Sequence, residues 1–369
     1  MVRQFNTDLE GPLSKDDNAF DLAVRFIQQG SDFFKKLSAY DDCLAYIDKK
    51  PGYKAGNTLG LIVPFFIAYG LTSDKLKEFS LDNVHMLPGS KETLQYIRGV
   101  MNSIIISTSY EPYVHAVCEL MNFPKDCVYC TKLDIDKYRI DGEEIERLKK
   151  YIEEINRLPE IVLPENARSR KDLSEDTLRT LNRLDEIFWE EMQGTESGNI
   201  INEINPMGGF EKANAIADSL EKTGIDICNV SYCGDSITDC QAFQLVNKGG
   251  GLTISVNGNI YAVREASIGC MIDNTIVTSV LADAFNRNGT EQTKEIVENW
   301  NRAGLERAAR KGEVNRKLIN NLFEIYPKKL PEVILLNNKN RKEFGERSSE
   351  YRKTVRGGKR RKSWVNLYK

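Results

Sequence analysis

The chain has 369 residues, 41% of them hydrophobic and 28% charged, and a net charge of −3, which fits an ordinary globular protein large enough for two or three structural units. Eight cysteines scattered through so long a chain exclude a small disulfide scaffold, and two histidines, His85 and His115, make a Ser-His-Asp hydrolase a poor candidate. The longest apolar run, around Leu59 to Leu71, is broken by Pro64 and Gly70 and is excluded as a membrane span. The N-terminus lacks the succession of a signal peptide, so the cytoplasm is the expected compartment.

Short apolar runs alternate with helical stretches, the pattern of an α/β domain with a parallel sheet. The first expected strand is residues 2 to 7, "VRQFNT". Nearly a hundred residues separate it from the next, "SIIIST" at 103 to 108, too many for one crossover helix. Apolar residues at helical spacing (Phe20, Ala23, Val24, Ile27) and further helices over Leu59 to Gly70 and Asp74 to Ser80 mark residues 15 to 85 as an inserted helical subdomain. "LPGSKETLQYI" returns the chain to the sheet through a Pro-Gly turn and a helix. Cys127-Val-Tyr-Cys130 is a CxxC without a second pair, and it reads as buried strand residues, because a structural zinc needs four ligands.

A second insertion, about residues 136 to 204, is highly charged. Ile145, Leu148, Ile152, Ile155 and Leu158 fall on one helical face, a proline-broken linker follows, and a second amphipathic helix runs to Met192. A coiled hairpin, a partner-binding arm and a helical pair packed on the core all fit this pattern. The sheet resumes with expected strands at 226 to 233, 252 to 256 and 267 to 273, and past residue 285 the chain reads as helices. The core is therefore expected over 1 to 14, 86 to 135 and 205 to 285. From Asn338 to Lys369 twelve Lys or Arg face three Glu, a net +9 that leaves −12 for the rest. Such a segment can grip nucleic acid or an anionic surface, or it can be a solvated tail folded back on the acidic body.

Strands of an open parallel sheet end at one edge, and the loops leaving that edge build the site. Three of the expected strands end in groups whose chemistry belongs together. These are Asp8-Leu9-Glu10-Gly11-Pro12, Ser107-Thr108-Ser109, and Gly234-Asp235-Ser236-Ile237-Thr238-Asp239. Carboxylates from two strand ends suit a hard cation such as Mg²⁺. Serine and threonine hydroxyls suit phosphate oxygens. Lys212, in the first turn of a helix behind the pair Gly208-Gly209, supplies a balancing charge. Asp235 and Asp239 would lie one helical turn apart on the same face, although Asp235 or Ser236 would also serve as a helix N-cap.

In their order and spacing these four motifs resemble those of the haloacid dehalogenase (HAD) superfamily. The resemblance covers about residues 1 to 285, and the first insertion stands where that superfamily carries a helical C1 cap. It implies a Rossmann-like three-layer α/β core with a parallel sheet, an inserted C1-type cap and extra helical segments. The implied activity is a Mg²⁺-dependent phosphohydrolase acting on a small phosphorylated metabolite. Asp8 would be the nucleophile that forms an aspartyl-phosphate, and Glu10 the acid and base. Ser107, Thr108, Gly11 and Lys212 would hold the phosphate, and Asp8, Glu10, Asp235 and Asp239 the metal. Glu10 stands where that family usually has Asp, and Pro12 where it has Thr. The stretches "TDLEGPLSKDDNAF" and "STSYEPYV" also resemble an archaeal branch known as energy-converting hydrogenase A subunit R. That implies a second reading, a non-catalytic or regulatory subunit docked to membrane hydrogenase subunits at the inner face of the membrane. Nucleic-acid binding through the tail has only Trp364 and Tyr368 as aromatic platforms.

Overall fold

The computed structural model describes residues 2 to 164 and 167 to 357. Seven strands form one sheet: β1 (Gln4–Thr7), β2 (Asn102–Tyr110), β3 (Val128–Thr131), β4 (Val230–Gly234), β5 (Leu252–Val256), β6 (Ile268–Met271) and β7 (Glu332–Leu335). Their order is β3-β2-β1-β4-β5-β6-β7, with every pair parallel except β6 and β7. The first six follow the doubly wound Rossmann order, whose winding reverses between β1 and β4. Register fixes what meets there. Thr7 pairs with Ile105 on one side and Cys233 on the other, and the Asp8 amide donates to the Cys233 carbonyl at 2.8 Å. Asp8 and Asp235 therefore leave adjacent strand ends at the reversal point.

Sheet burial follows from composition. Every residue of β1, β4 and β5 is buried, as the strands of a sheet covered on both faces must be. Gln4 Nε2 donates to both Asn6 and Ser219, while Gln4 Oε1 and Asn6 Nδ2 are buried without a partner among the described residues. Cys130 is buried in β3, while Cys127 lies just before that strand and is half-buried.

Past residue 285 the structure corrects the all-helical expectation. The segment from Thr290 to Ile325 is helical, but Glu332–Leu335 then adds β7 antiparallel along β6. Helices of this segment share a hydrophobic cluster with the sheet, in which Leu305, Ile319 and Leu322 pack with Ile268 and Cys270. The C-terminal extension is thus part of the core layer system.

The two insertions also differ from separate units. Residues from both, among them Phe33, Phe65 and Phe66 with Leu148, Ile152 and Leu184, form one hydrophobic cluster. Of the predicted helical face, Leu148, Ile152 and Ile155 are buried along the Gly142–Arg157 helix, which Asp141 caps through the Glu144 amide. Each large apolar side chain buried here contributes roughly 1.5–3 kcal/mol, enough to bind the two insertions into one helical unit at the position expected of a cap. Among the described residues no single helix is long and apolar enough to cross a membrane. The apolar pair Thr58–Ala68 and Ser73–Asp82 is bent by 114°, and its Phe65 and Phe66 lie inside the cap.

Candidate active site

The first loop supplies Asp8, Glu10 and Gly11. Asp8 is buried, and its Oδ1 accepts the Leu9 amide at 2.7 Å. Leu13 and Ser14 both donate backbone N–H to the Leu9 carbonyl, and Gly11 donates to the Ser14 carbonyl. The turn closes without a donor from residue 12, so Pro12 sits in it without loss of a hydrogen bond. Gly11 has φ +101°, and a Cβ there would lie 2.1 Å from Asp235 Oδ2. Only glycine lets the Asp235 carboxylate sit against this loop.

Glu10 is anchored from the next helix. Its Oε1 accepts the Asn18 amide at 2.8 Å, at the start of the first cap helix, Asn18–Phe26. Burial, with the nearby Asp17 adding to it and Arg356 opposing it, holds its carboxyl well above the usual range.

Lys212 joins the first and last motifs. Its side chain is fully buried, with Nζ 2.5 Å from Asp8 Oδ2 and 2.7 Å from Asp239 Oδ1. Asp239 is saturated: Oδ1 also accepts Tyr232 Oη at 2.7 Å, and Oδ2 accepts the amides of Asp235 and Ser236 at 2.9 Å each. Gly234 permits this, since a Cβ on it would lie 2.5 Å from Asp239 Cγ. Burial works against the Asp239 charge, but Lys212, Tyr232 and the Ser236 amide outweigh it and hold this carboxyl below the usual range. Asp8 has fewer partners. Burial, with Asp239 and Asp235 nearby, pushes its carboxyl up to about 7 against the pull of Lys212. Asp239 is therefore the lasting anion that holds Lys212 and the 234–236 turn in place. The N-cap alternative holds as well, because Ser236 and Asp239 form a capping box over Ile237–Asp239.

The second motif sits at an irregularity. Between Ser107 and Tyr110, β2 advances three residues while β3 advances one, from Cys130 to Thr131. Ser107 is buried and its Oγ accepts the Ser109 amide at 3.2 Å, which leaves its own proton to donate. The Thr108 hydroxyl is committed elsewhere, donating to the Met207 carbonyl at 3.0 Å. The glycine pair before Lys212 serves a close approach of backbone. A Cβ on Gly208 would lie 2.3 Å from the Ala55 carbonyl oxygen, so the cap loop packs against this core loop.

Two site residues carried no sequence signal of their own. Arg352 and Arg356 come from the C-terminal helix, Arg341–Val355, and the residue that follows it. Arg352 donates from Nη1 to the Asp235 carbonyl at 2.7 Å and places Nη2 2.9 Å from Asp235 Oδ2. Arg356 Nη2 reaches the same carboxylate oxygen at 3.0 Å, and its Nη1 lies 3.8 Å from Asp17 in the cap. The described part of the basic segment is thus folded back on the acidic body. Residues 358 to 369, with Trp364 and Tyr368, lie outside the described residues.

The donor chemistry fits a hard divalent cation. Asp8, Asp235 and Asp239 are all buried and bring ligand oxygens within 4.8 Å of one another, the only such group among the described residues. Asp239 has both oxygens committed, and Asp235 Oδ2 is shared by two guanidinium groups.

Comparison with family models gives no match, and neither does comparison with curated proteins. Among solved structures, the gene product AF1437 of Archaeoglobus fulgidus is similar, with a TM-score of 0.77 and 24% identity over 97% of each chain. Phosphoserine phosphatase in its apo form also matches, with a TM-score of 0.42 and 10% identity over 74% of this chain and 96% of that one. A substrate-bound phosphoserine phosphatase gives 0.44 and 12% over 74% and 95%. Such low TM-scores carry no residue correspondence. The likeness to AF1437 shows the fold along nearly the whole chain, an α/β architecture with one mostly parallel, doubly wound sheet.

Proposed function

We propose that the chain is a HAD-type phosphohydrolase, acting on a small phosphomonoester through an aspartyl-phosphate on Asp8. The observation that carries this reading is the buried Asp8–Lys212–Asp239 arrangement at the reversal point of the sheet. Asp8 would attack phosphorus with Oδ2, the P–O bond to the alcohol breaking as the new O–P bond forms, and Lys212 and Ser107 would hold the oxygens of the transferring group. Glu10, whose environment favours its protonated form, would protonate the leaving alcohol and then take a proton from the hydrolytic water. Mg²⁺, held by Asp8, the Glu10 carbonyl and Asp235 with Asp239 behind them, would neutralise charge on the phosphoryl group. The helical cap would enclose the substrate and choose it.

The test is phosphate release from a panel of small phosphomonoesters, with Mg²⁺, with chelator and with Asp8→Asn. Metal-dependent release that the variant lacks is expected; release by the variant at the wild-type rate would overturn the assignment. The reading as a docked hydrogenase subunit draws no support from the fold. Of the basic residues it relied on, Arg341, Arg347, Arg352 and Arg356 are engaged within the chain.

A further inference from the structure

Asp235 is one of the acids assigned above to the divalent cation, yet its Oδ2 already carries two guanidinium groups. Both side chains are largely covered, at 19% and 13% exposed, and the Asp235 side chain is 2% exposed. This is a buried, two-armed ion pair and not a surface contact. Two arginines bring a formal +2, the charge of the cation that the same carboxylate suits. A metal bound to that oxygen at about 2.0–2.1 Å would share a buried acceptor with both guanidiniums, and like charges so close in a water-poor site repel strongly. Exchange of one for the other, by contrast, leaves the charge of the acid cluster balanced.

Several features make the arginines the exchangeable partner. They lie in the last turn of the C-terminal helix and just beyond it, whereas the buried apolar anchor of that helix, Phe344, lies in its first turn. Arg356 Nε is buried without an acceptor among the described residues, so release to water would restore a hydrogen bond. The same Arg356 reaches Asp17 beside the Asn18–Phe26 helix, so it ties the Asp235 loop to the start of that helix.

Resting on the reading of Asp235 as a metal acid, we infer that Arg352 and Arg356 are a built-in counter-ion that competes with the divalent cation. Metal loading and release of the last turn of the C-terminal helix are one exchange. The experiment titrates Mg²⁺, and separately inorganic phosphate, into the full chain, into Arg352→Gln/Arg356→Gln and into Asp235→Asn by calorimetry. In parallel, hydrogen exchange of residues 341 to 357 is followed in the wild type with and without saturating Mg²⁺, a readout that needs no variant to fold.

Competition predicts that the double variant binds Mg²⁺ on the order of 10-fold more tightly, and that Mg²⁺ speeds exchange at the end of the wild-type helix. Equal or weaker affinity in the double variant, or unchanged exchange at saturating metal, would overturn it. Weaker binding of inorganic phosphate by the double variant with unaltered Mg²⁺ affinity would also overturn it, by making the arginines phosphate ligands. Mg²⁺ binding that Asp235→Asn leaves intact, or no binding by any of the three, removes Asp235 as a metal acid and fails the underlying reading; phosphate release alone does neither.

Discussion

The two halves of the acid cluster are neutralised in different ways. Asp8 and Asp239 share Lys212, a side chain with no exposed surface, held from the same sheet and its flanking helix. Asp235, one strand end away, takes its positive charge from residues 117 and 121 positions later, at the end of the described chain. The first half is built into the core and repeats the logic of a permanent buried ion pair, costly to break. The second half is borrowed from a helix end, and what is borrowed can be exchanged.

The largest expected effect breaks the first half. Asp8→Asn should reduce phosphate release to background while a cooperative thermal unfolding transition survives at lower temperature, since one of the two oxygens that accept from the Leu9 amide and Lys212 becomes a donor. Lys212→Ala should destabilise the protein by about 3–5 kcal/mol, because it leaves two carboxylates buried without a counter-charge; denaturant unfolding measures this. Gly11→Ala should cost about 1–3 kcal/mol and depress activity, since it places a strained residue at φ +101° against Asp235. Removing one borrowed charge should be milder. Arg356→Gln should cost about 1 kcal/mol, because Arg352 still holds the same oxygen. A loss as large as that of Lys212→Ala would erase the distinction between the halves.

The smallest effect concerns pH. Asp42, in the cap, has its carboxyl pushed up to about 8 by burial, with Asp41 adding and Arg352 opposing. A raised carboxylate contributes stability that is complete below its ordinary value near 3.8 and is lost as pH rises through about 8. The unfolding temperature of the wild type should therefore fall across that window, and Asp42→Asn should flatten the fall. Arg352→Gln should steepen it.

Much of the core was legible because a sheet buried on both faces writes itself as apolar runs, and β1, β2, β4, β5 and β6 all fall on expected stretches. The motif residues followed from strand ends, and the structure brings Asp8, Lys212, Asp235 and Asp239 together. β7 was missed since its four residues, Glu-Val-Ile-Leu, form only a short, largely apolar run behind Pro331 and pair only by long-range contact. The union of the two insertions in one cap was hidden for the same reason: periodicity gives the apolar face of the Gly142–Arg157 helix but not its partner in Phe65 and Phe66. Arg352 and Arg356 were visible only as part of a charge excess. Nothing in a run of basic residues distinguishes the two that turn inward.

The measurement closest to the central claim is a trap of the phosphoenzyme. The protein is mixed with Mg²⁺ and a phosphomonoester that it hydrolyses, quenched in acid and mapped by mass spectrometry for acyl-phosphate. Phosphate on the peptide carrying Asp8, absent from Asp8→Asn, is the result expected of this site. Turnover with no label on Asp8, or label retained in the variant, would contradict it.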